Sequence, residues 1–166
     1  MNIKNLFDYN WYSRRKILKS MTEIPWKKAV ESCGASFDCV RDIFIHSLQA
    51  EQFWIRRLSG RKNTEEIFKT PFGKYADISA LQKYADEVEA ETNKYLKTLT
   101  EKMLQSTFEY KGWDGKTKQN KIEDILMHVI EEEIHHRGEL NCIFWQSDIN
   151  PPYTSYTRYV DDTQQA

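Results

Sequence analysis

The stretch Lys121-Ile122-Glu123-Asp124-Ile125-Leu126-Met127-His128-Val129-Ile130-Glu131-Glu132-Glu133-Ile134-His135-His136-Arg137-Gly138-Glu139-Leu140-Asn141-Cys142-Ile143-Phe144-Trp145-Gln146 decides the fold. Ile122, Ile125, Leu126, Val129, His136, Leu140, Ile143 and Phe144 recur at spacings that gather side chains on one face of an α-helix. About 26 residues at 1.5 Å each give a helix roughly 39 Å long. Asn120 and Glu123 have capping-box spacing at its start. A long helix with one apolar face has to bury that face against other helices.

Three further stretches supply them. From about Ile3 to Met21, the residues Ile3, Leu6, Phe7, Trp11, Ile17, Leu18 and Met21 are mostly three or four apart, and Pro25 marks the break. From about Phe37 to Leu58 runs the stripe Val40, Ile43, Phe44, Ser47, Leu48, Glu51, Trp54, Ile55, Leu58, with Ser36 as N-cap and Ser59-Gly60 as stop. From about Ala80 to Leu99, Leu81, Tyr84, Ala85, Val88, Thr92, Tyr95, Leu96 and Leu99 keep the period, with Ser79 and Gln82 as a capping box. The expected fold is all-α: a four-helix bundle with long inter-helix loops. Arg61–Asp77 is a connection of unusual length, and the long second and third loops permit a crossover. Asp114-Gly115 is a tight-turn dipeptide that accommodates a short hairpin between the third and fourth helices. Pro151-Pro152 ends the helical part, and Tyr153, Tyr156 and Tyr159 are expected to pack on the body.

The 166 residues fit a single domain, read as 1–160 with a frayed tail at 161–166. Five Trp, nine Tyr and eight Phe exclude a disordered chain. Six Gly and four Pro argue against an all-β fold with many turns. Lys+Arg is 24 and Asp+Glu is 25, so the near-neutral balance gives no support to binding of nucleic acid or an anionic membrane. The three cysteines, Cys33, Cys39 and Cys142, form no C-x-x-C pair, which fits a reduced, cytoplasmic setting. Met1-Asn2-Ile3-Lys4-Asn5 lacks the layout of a signal peptide, and no apolar run reaches membrane-spanning length.

All four histidines fall on two helices: His46 on the second, His128, His135 and His136 on the fourth. Residues four apart differ by about 40° in direction, so His128, Glu132 and His136 share one stripe beside the apolar face. His135 and Glu131 are rotated away. If the second and fourth helices face each other, His46 meets Glu132 and His136. Two imidazoles and a carboxylate form a three-ligand set with open positions, suited to zinc, nickel or ferrous iron. The plainer reading is a solvated glutamate run with hydrogen-bonded histidines. Cys39, Cys142, Trp11, Trp54 and Trp145 read as packing residues, and Arg14-Arg15-Lys16 as a solvated helix face. No Ser-His-Asp order, P-loop or dinucleotide fingerprint is present.

The chain resembles the DinB/YfiT-like family of metal-dependent four-helix-bundle proteins. The resemblance is carried by Leu6-Phe7-Asp8-Tyr9-Asn10-Trp11, by Arg41-Asp42-Ile43-Phe44-Ile45-His46 with Glu51 and Trp54, by Ile125-Leu126-Met127-His128-Val129, and most strongly by His135-His136-Arg137-Gly138-Glu139-Leu140. It implies one metal-ligating histidine on the second helix and two, four residues apart, on the late helix. Carried over, these are His46, position 132 and His136. Position 132 is Glu here, so the site either persists as two His and one Glu or is degenerate. His128, one turn earlier, is then an outer supporting residue or a substitute ligand.

The resemblance further implies a homodimer, a small-molecule substrate, and chemistry of the thiol-cofactor-dependent transferase or isomerase kind. Two functions stay open at this point. One is a divalent-metal enzyme, a hydrolase or thiol transferase, with Glu133 or Glu139 assisting proton transfer. The other is a non-catalytic, stress-related binding or scaffold bundle.

Overall fold

Each of the four periodic stretches forms a helix in the computed structural model, which describes residues 2–164. α1 spans Ile3–Thr22, and the Asn2 side chain caps it by accepting from the Lys4 amide at 2.9 Å. The short α2, Trp26–Ala29, follows Pro25. α3 spans Val40–Leu58 and α4 spans Ile78–Leu96. After α5, Glu101–Leu104, the antiparallel strands β1 (Thr107–Lys111) and β2 (Thr117–Lys121) form the hairpin, with Tyr110 opposite Lys118. Gly115 takes the positive φ of its turn. α6 spans Ile122–Gln146, and α7 spans Tyr156–Gln164. Two 3-10 turns, Thr64–Lys69 and Phe72–Lys74, structure the long connection before α4.

Three expected helix starts differ, each for a local reason. Ser36 does not cap α3, which begins four residues later behind Cys39, because its amide and hydroxyl both donate to Glu139 on α6. Asp77, not Ser79, caps α4 by accepting from the Ala80 amide at 2.8 Å. Asn120 lies in β2, where it accepts from the Tyr110 hydroxyl, so Lys121 takes the N-cap position of α6.

α6 packs on α1 and α3, and α4 packs on α3 and α1. The order around the bundle is therefore α1, α6, α3, α4. Consecutive long helices α1 and α3 face across a diagonal, as do α4 and α6, so both of those connections cross an end of the bundle. The hairpin is part of the second crossing. This arrangement seats α3 directly against α6, the condition for His46 to meet the late-helix residues.

The core divides in two. One cluster holds Ile17, Met21, Ile43, Phe44, Leu48, Leu81, Val88, Leu140 and Phe144. The other holds Phe7, Trp11, Ile55, Tyr95, Leu126, Val129 and Ile130. Between them lies a polar layer. Arg14, expected at a solvated face, is 2% exposed. Its Nε and Nη2 donate to Glu133 at 3.0 and 2.8 Å, and Nη2 also donates to Glu51. Glu51 further accepts from the Thr92 hydroxyl at 2.6 Å and from Trp11 Nε1 at 3.3 Å. Burial alone would lower the Arg14 pKa. The two carboxylates outweigh it and hold the guanidinium charged more firmly than usual. Arg137 adds a second buried cation, donating to Asn10 and to the Tyr9 hydroxyl, which donates to the Thr154 carbonyl.

The C-terminal segment is tied down through this side. Tyr12 donates to Asp162, and Tyr156 and Tyr159 pack their rings on Tyr9. α7 is thus a helix beyond Pro151-Pro152, where the helical part was expected to end, and positions 165 and 166 lie outside the described residues. Tyr153 and Trp145, expected to pack, are 69% and 64% exposed, and Cys142 is exposed as well. Among the described residues, no helix is long and apolar enough to cross a membrane.

Candidate metal centre

The α3–α6 contact brings His46, Glu132 and His136 together, with one donor atom from each within 4.8 Å of the others. His136 Nε2 lies 3.6 Å from Glu132, a consequence of their i, i+4 spacing. The His46 and His136 rings meet edge to face, with centroids 5.0 Å apart. Tetrahedral ligands on zinc sit roughly 3.3 Å from one another for bonds near 2.0 Å, so small side-chain shifts separate this arrangement from ligation.

The donor chemistry fits a cation. His136 is buried, and its Nδ1 is 2.9 Å from Glu139. With Nδ1 directed at that carboxylate, Nε2 is left directed at Glu132, the edge a metal would take once its proton is displaced. Glu139 is itself fixed by Ser36, whose amide and hydroxyl donate at 2.8 and 2.7 Å. The His46 imidazole forms no hydrogen bond with another described residue. Burial, then the neighbouring His136, push its pKa down to about 4, so it is a neutral imidazole with a free lone pair near pH 7. For His136, burial pulls the pKa down, but Glu132 and Glu139 outweigh it and the net shift is upward. The hydrogen bond from His136 holds Glu132 below the ordinary carboxylate range, helped by the nearby histidines.

Phe37 closes the site from the loop before α3. Its ring stacks on His46 at 4.1 Å and 28° and meets His136 edge-on at 5.8 Å. On the far side of His46 stands Phe68, 6.1 Å away. Ser36 and Phe37 were not legible as site residues. The signal in Ser36 read as a helix cap, and only the crossover of this loop toward α6 reveals its partner.

The remaining sequence candidates fall in different places. His128 is largely exposed, with Nε2 4.0 Å from Glu132 and its ring against Trp54. It stands at the edge of the centre, beside and not within the three-residue set. His135 is exposed, as its rotation on the helix predicts. Glu133 is committed to Arg14 in the polar layer and has no part in this site, whereas Glu139 touches it through His136. A larger cavity of about 640 Å³ between α3 and α4 contains none of the three residues.

A sequence model described as the DinB family matches residues 1–166. Two relatives come from Bacillus subtilis (strain 168). One, named uncharacterized protein YizA, is 20% identical over 150 residues, covering 90% of this chain and 91% of the relative. The other, named protein DinB, is 17% identical over 157 residues, covering 93% and 91% respectively.

Proposed function

The chain belongs to the DinB family, and from that premise we propose that it is a divalent-metal-dependent enzyme whose ligands are His46, Glu132 and His136. The single observation that carries this reading is the convergence of a neutral imidazole, an oriented imidazole and a carboxylate from two helices. Zinc, nickel or iron held there supplies Lewis acidity, lowering the pKa of a water or thiol and polarising a carbonyl. The protein's own groups do the rest. Glu139 orients His136 and holds its Nδ1 proton, and Ser36 keeps Glu139 in place. Phe37 shields one side of the centre from water. His128, with Nε2 4.0 Å from Glu132, supports that ligand from outside the set. Hydrolysis and thiol transfer to an electrophile are the reactions this set serves, the latter with a low-molecular-weight thiol as co-substrate.

The protein is further read as a cytoplasmic homodimer, free of nucleic acid. Met127, Ile134 and Trp145 support the dimer. They are 48%, 45% and 64% exposed, and their spacings of seven and eleven place them on one outward stripe of α6.

Metal analysis of the purified protein, before and after chelation, tests the centre. Stoichiometric metal that is lost in His46→Ala and in His136→Ala supports it. Glu132→His should retain or strengthen binding of a soft metal, and Glu132→Ala should weaken it. A protein that holds no metal, and whose thermal stability does not rise with added zinc or nickel, returns the choice to the scaffold reading.

A further inference from the structure

Beside the candidate metal centre lies a cavity of about 350 Å³ between the hairpin, the C-terminal half of α3 and the first turns of α6. Its walls are aromatic. Trp54 meets Tyr110 edge-on at 5.1 Å and His128 at 5.9 Å. Trp113, at the hairpin tip, stacks on Phe53 at 5.7 Å and 22°, yet is 75% exposed. An indole held in place with most of its surface in water is a contact face without a partner.

Its charged groups are mostly cationic. Arg57, Lys111 and Lys118 line the cavity against one carboxylate, Asp124. Arg57 lies over the Phe53, Trp54 and Tyr110 rings, and its Nη2 is spent on the Lys111 carbonyl and on Glu65. Among the described residues, the Lys111 ammonium donates only to the Thr117 hydroxyl. Lys118 has no acceptor among the described residues. Its stem lies flat across the hairpin, so close that a Cβ at Gly112 would fall 2.6 Å from Lys118 Cε.

We propose that this cavity binds a small molecule with a flat apolar body and an oxyanion, the body against Trp54 and Trp113 and the anion at Lys118 and Lys111. The volume suits a ligand of one or two fused rings. Because His128 lines the cavity and also reaches Glu132, the cavity is where the body of the substrate sits. That last step rests on the metal-centre reading.

The test is calorimetric titration of the full chain, metal-free after chelation, with 2-naphthoate, 2-naphthyl phosphate and the neutral 2-naphthamide. At least one anion should bind roughly tenfold or more tighter than the amide. The stronger anion identifies the head group as carboxylate or phosphate. Trp113→Ala should weaken all three, and Lys118→Gln should abolish the preference for anions while leaving the amide unchanged. Both positions are on the exposed hairpin, and circular dichroism confirms that each variant is folded. The proposal is overturned if the amide binds as tightly as the anions, or if none binds at millimolar concentration. It is also overturned if anion binding needs added metal and survives Trp113→Ala, for then the ligand sits on the ion. A protein that takes up no metal but binds the anions refutes the metal centre and leaves this cavity standing.

Discussion

Replacing Arg14 by methionine tests the polar layer that separates the two halves of the core. The change keeps most of the apolar stem and deletes the guanidinium. Three charge-assisted hydrogen bonds disappear, two to Glu133 and one to Glu51. Glu51 keeps the Thr92 hydroxyl and the Trp11 indole, whereas Glu133 keeps no side-chain donor among the described residues. At about 1.5–3 kcal/mol per bond to a charged group, the upper bound is roughly 4.5–9 kcal/mol. Relaxation and water entry reduce this, and removal of one partner from a buried pair characteristically costs about 3–5 kcal/mol. That range is a large share of the roughly 5–15 kcal/mol stability of a whole domain. It corresponds to a fall in Tm of roughly 6–20 °C at this chain length. Urea denaturation followed by circular dichroism measures it. The triple variant R14M/E51L/E133L removes all three charges together and should recover part of the loss, since no carboxylate is then left buried without Arg14, while Arg137 loses the nearby Glu133 charge. A single variant within about 1 kcal/mol of the parent, or a triple variant less stable than the single, would refute the idea that mutual neutralisation holds the layer together.

In metal-free protein, the His46 imidazole should stay neutral through pH 6 and titrate near 4 by NMR. Its folded-state pKa lies below the ordinary value of 6.5, so the stability it contributes is present above that value and is lost as pH falls from 6.5 toward 4. His46→Gln should flatten this acid limb, and an imidazole that titrates near 6.5 in the folded protein contradicts the burial argument. Glu139→Gln and Ser36→Ala should each leave the fold intact and weaken metal binding roughly 10–100-fold, since both orient His136 from outside the ligand set. Competition with a chromophoric chelator reads this, and unchanged affinity in Glu139→Gln removes that residue from the site. Asp77→Ala should cost about 1 kcal/mol by loss of the α4 cap. If Ser79→Ala costs more than Asp77→Ala, the cap has been misplaced.

Helix existence was legible because amphipathic periodicity is a local property. The stripes Ile3–Met21, Val40–Leu58, Leu81–Leu99 and Ile122–Phe144 name their own buried faces without reference to a partner. The metal candidates shared that legibility in part: Glu132 and His136 are four apart on one helix, which fixes their proximity. Arg14 shows where local reading fails. In sequence it is the first of three adjacent cations and suggests a solvated face. Yet it stands three residues from both Trp11 and Ile17 on the core side of α1, just as Glu51 interrupts the stripe of α3 between Leu48 and Ile55. Both charges are tolerable there because they pair with each other and because Arg14 also meets Glu133, which arrives from a third helix at the same level.

The sequence by itself determined four helices, the hairpin turn at Asp114-Gly115 and the i, i+4 half of the candidate centre. Tertiary structure alone decided that α3 lies against α6, and with it the meeting of His46 with Glu132 and His136. It also decided that Ser36 clamps Glu139 instead of capping a helix, and that Trp113 roofs a cationic cavity. The reason is one of range. Periodicity and capping act over one or two turns of backbone. The order of helices around the bundle is set by the two crossing connections, and packing brings together groups separated by up to 150 residues.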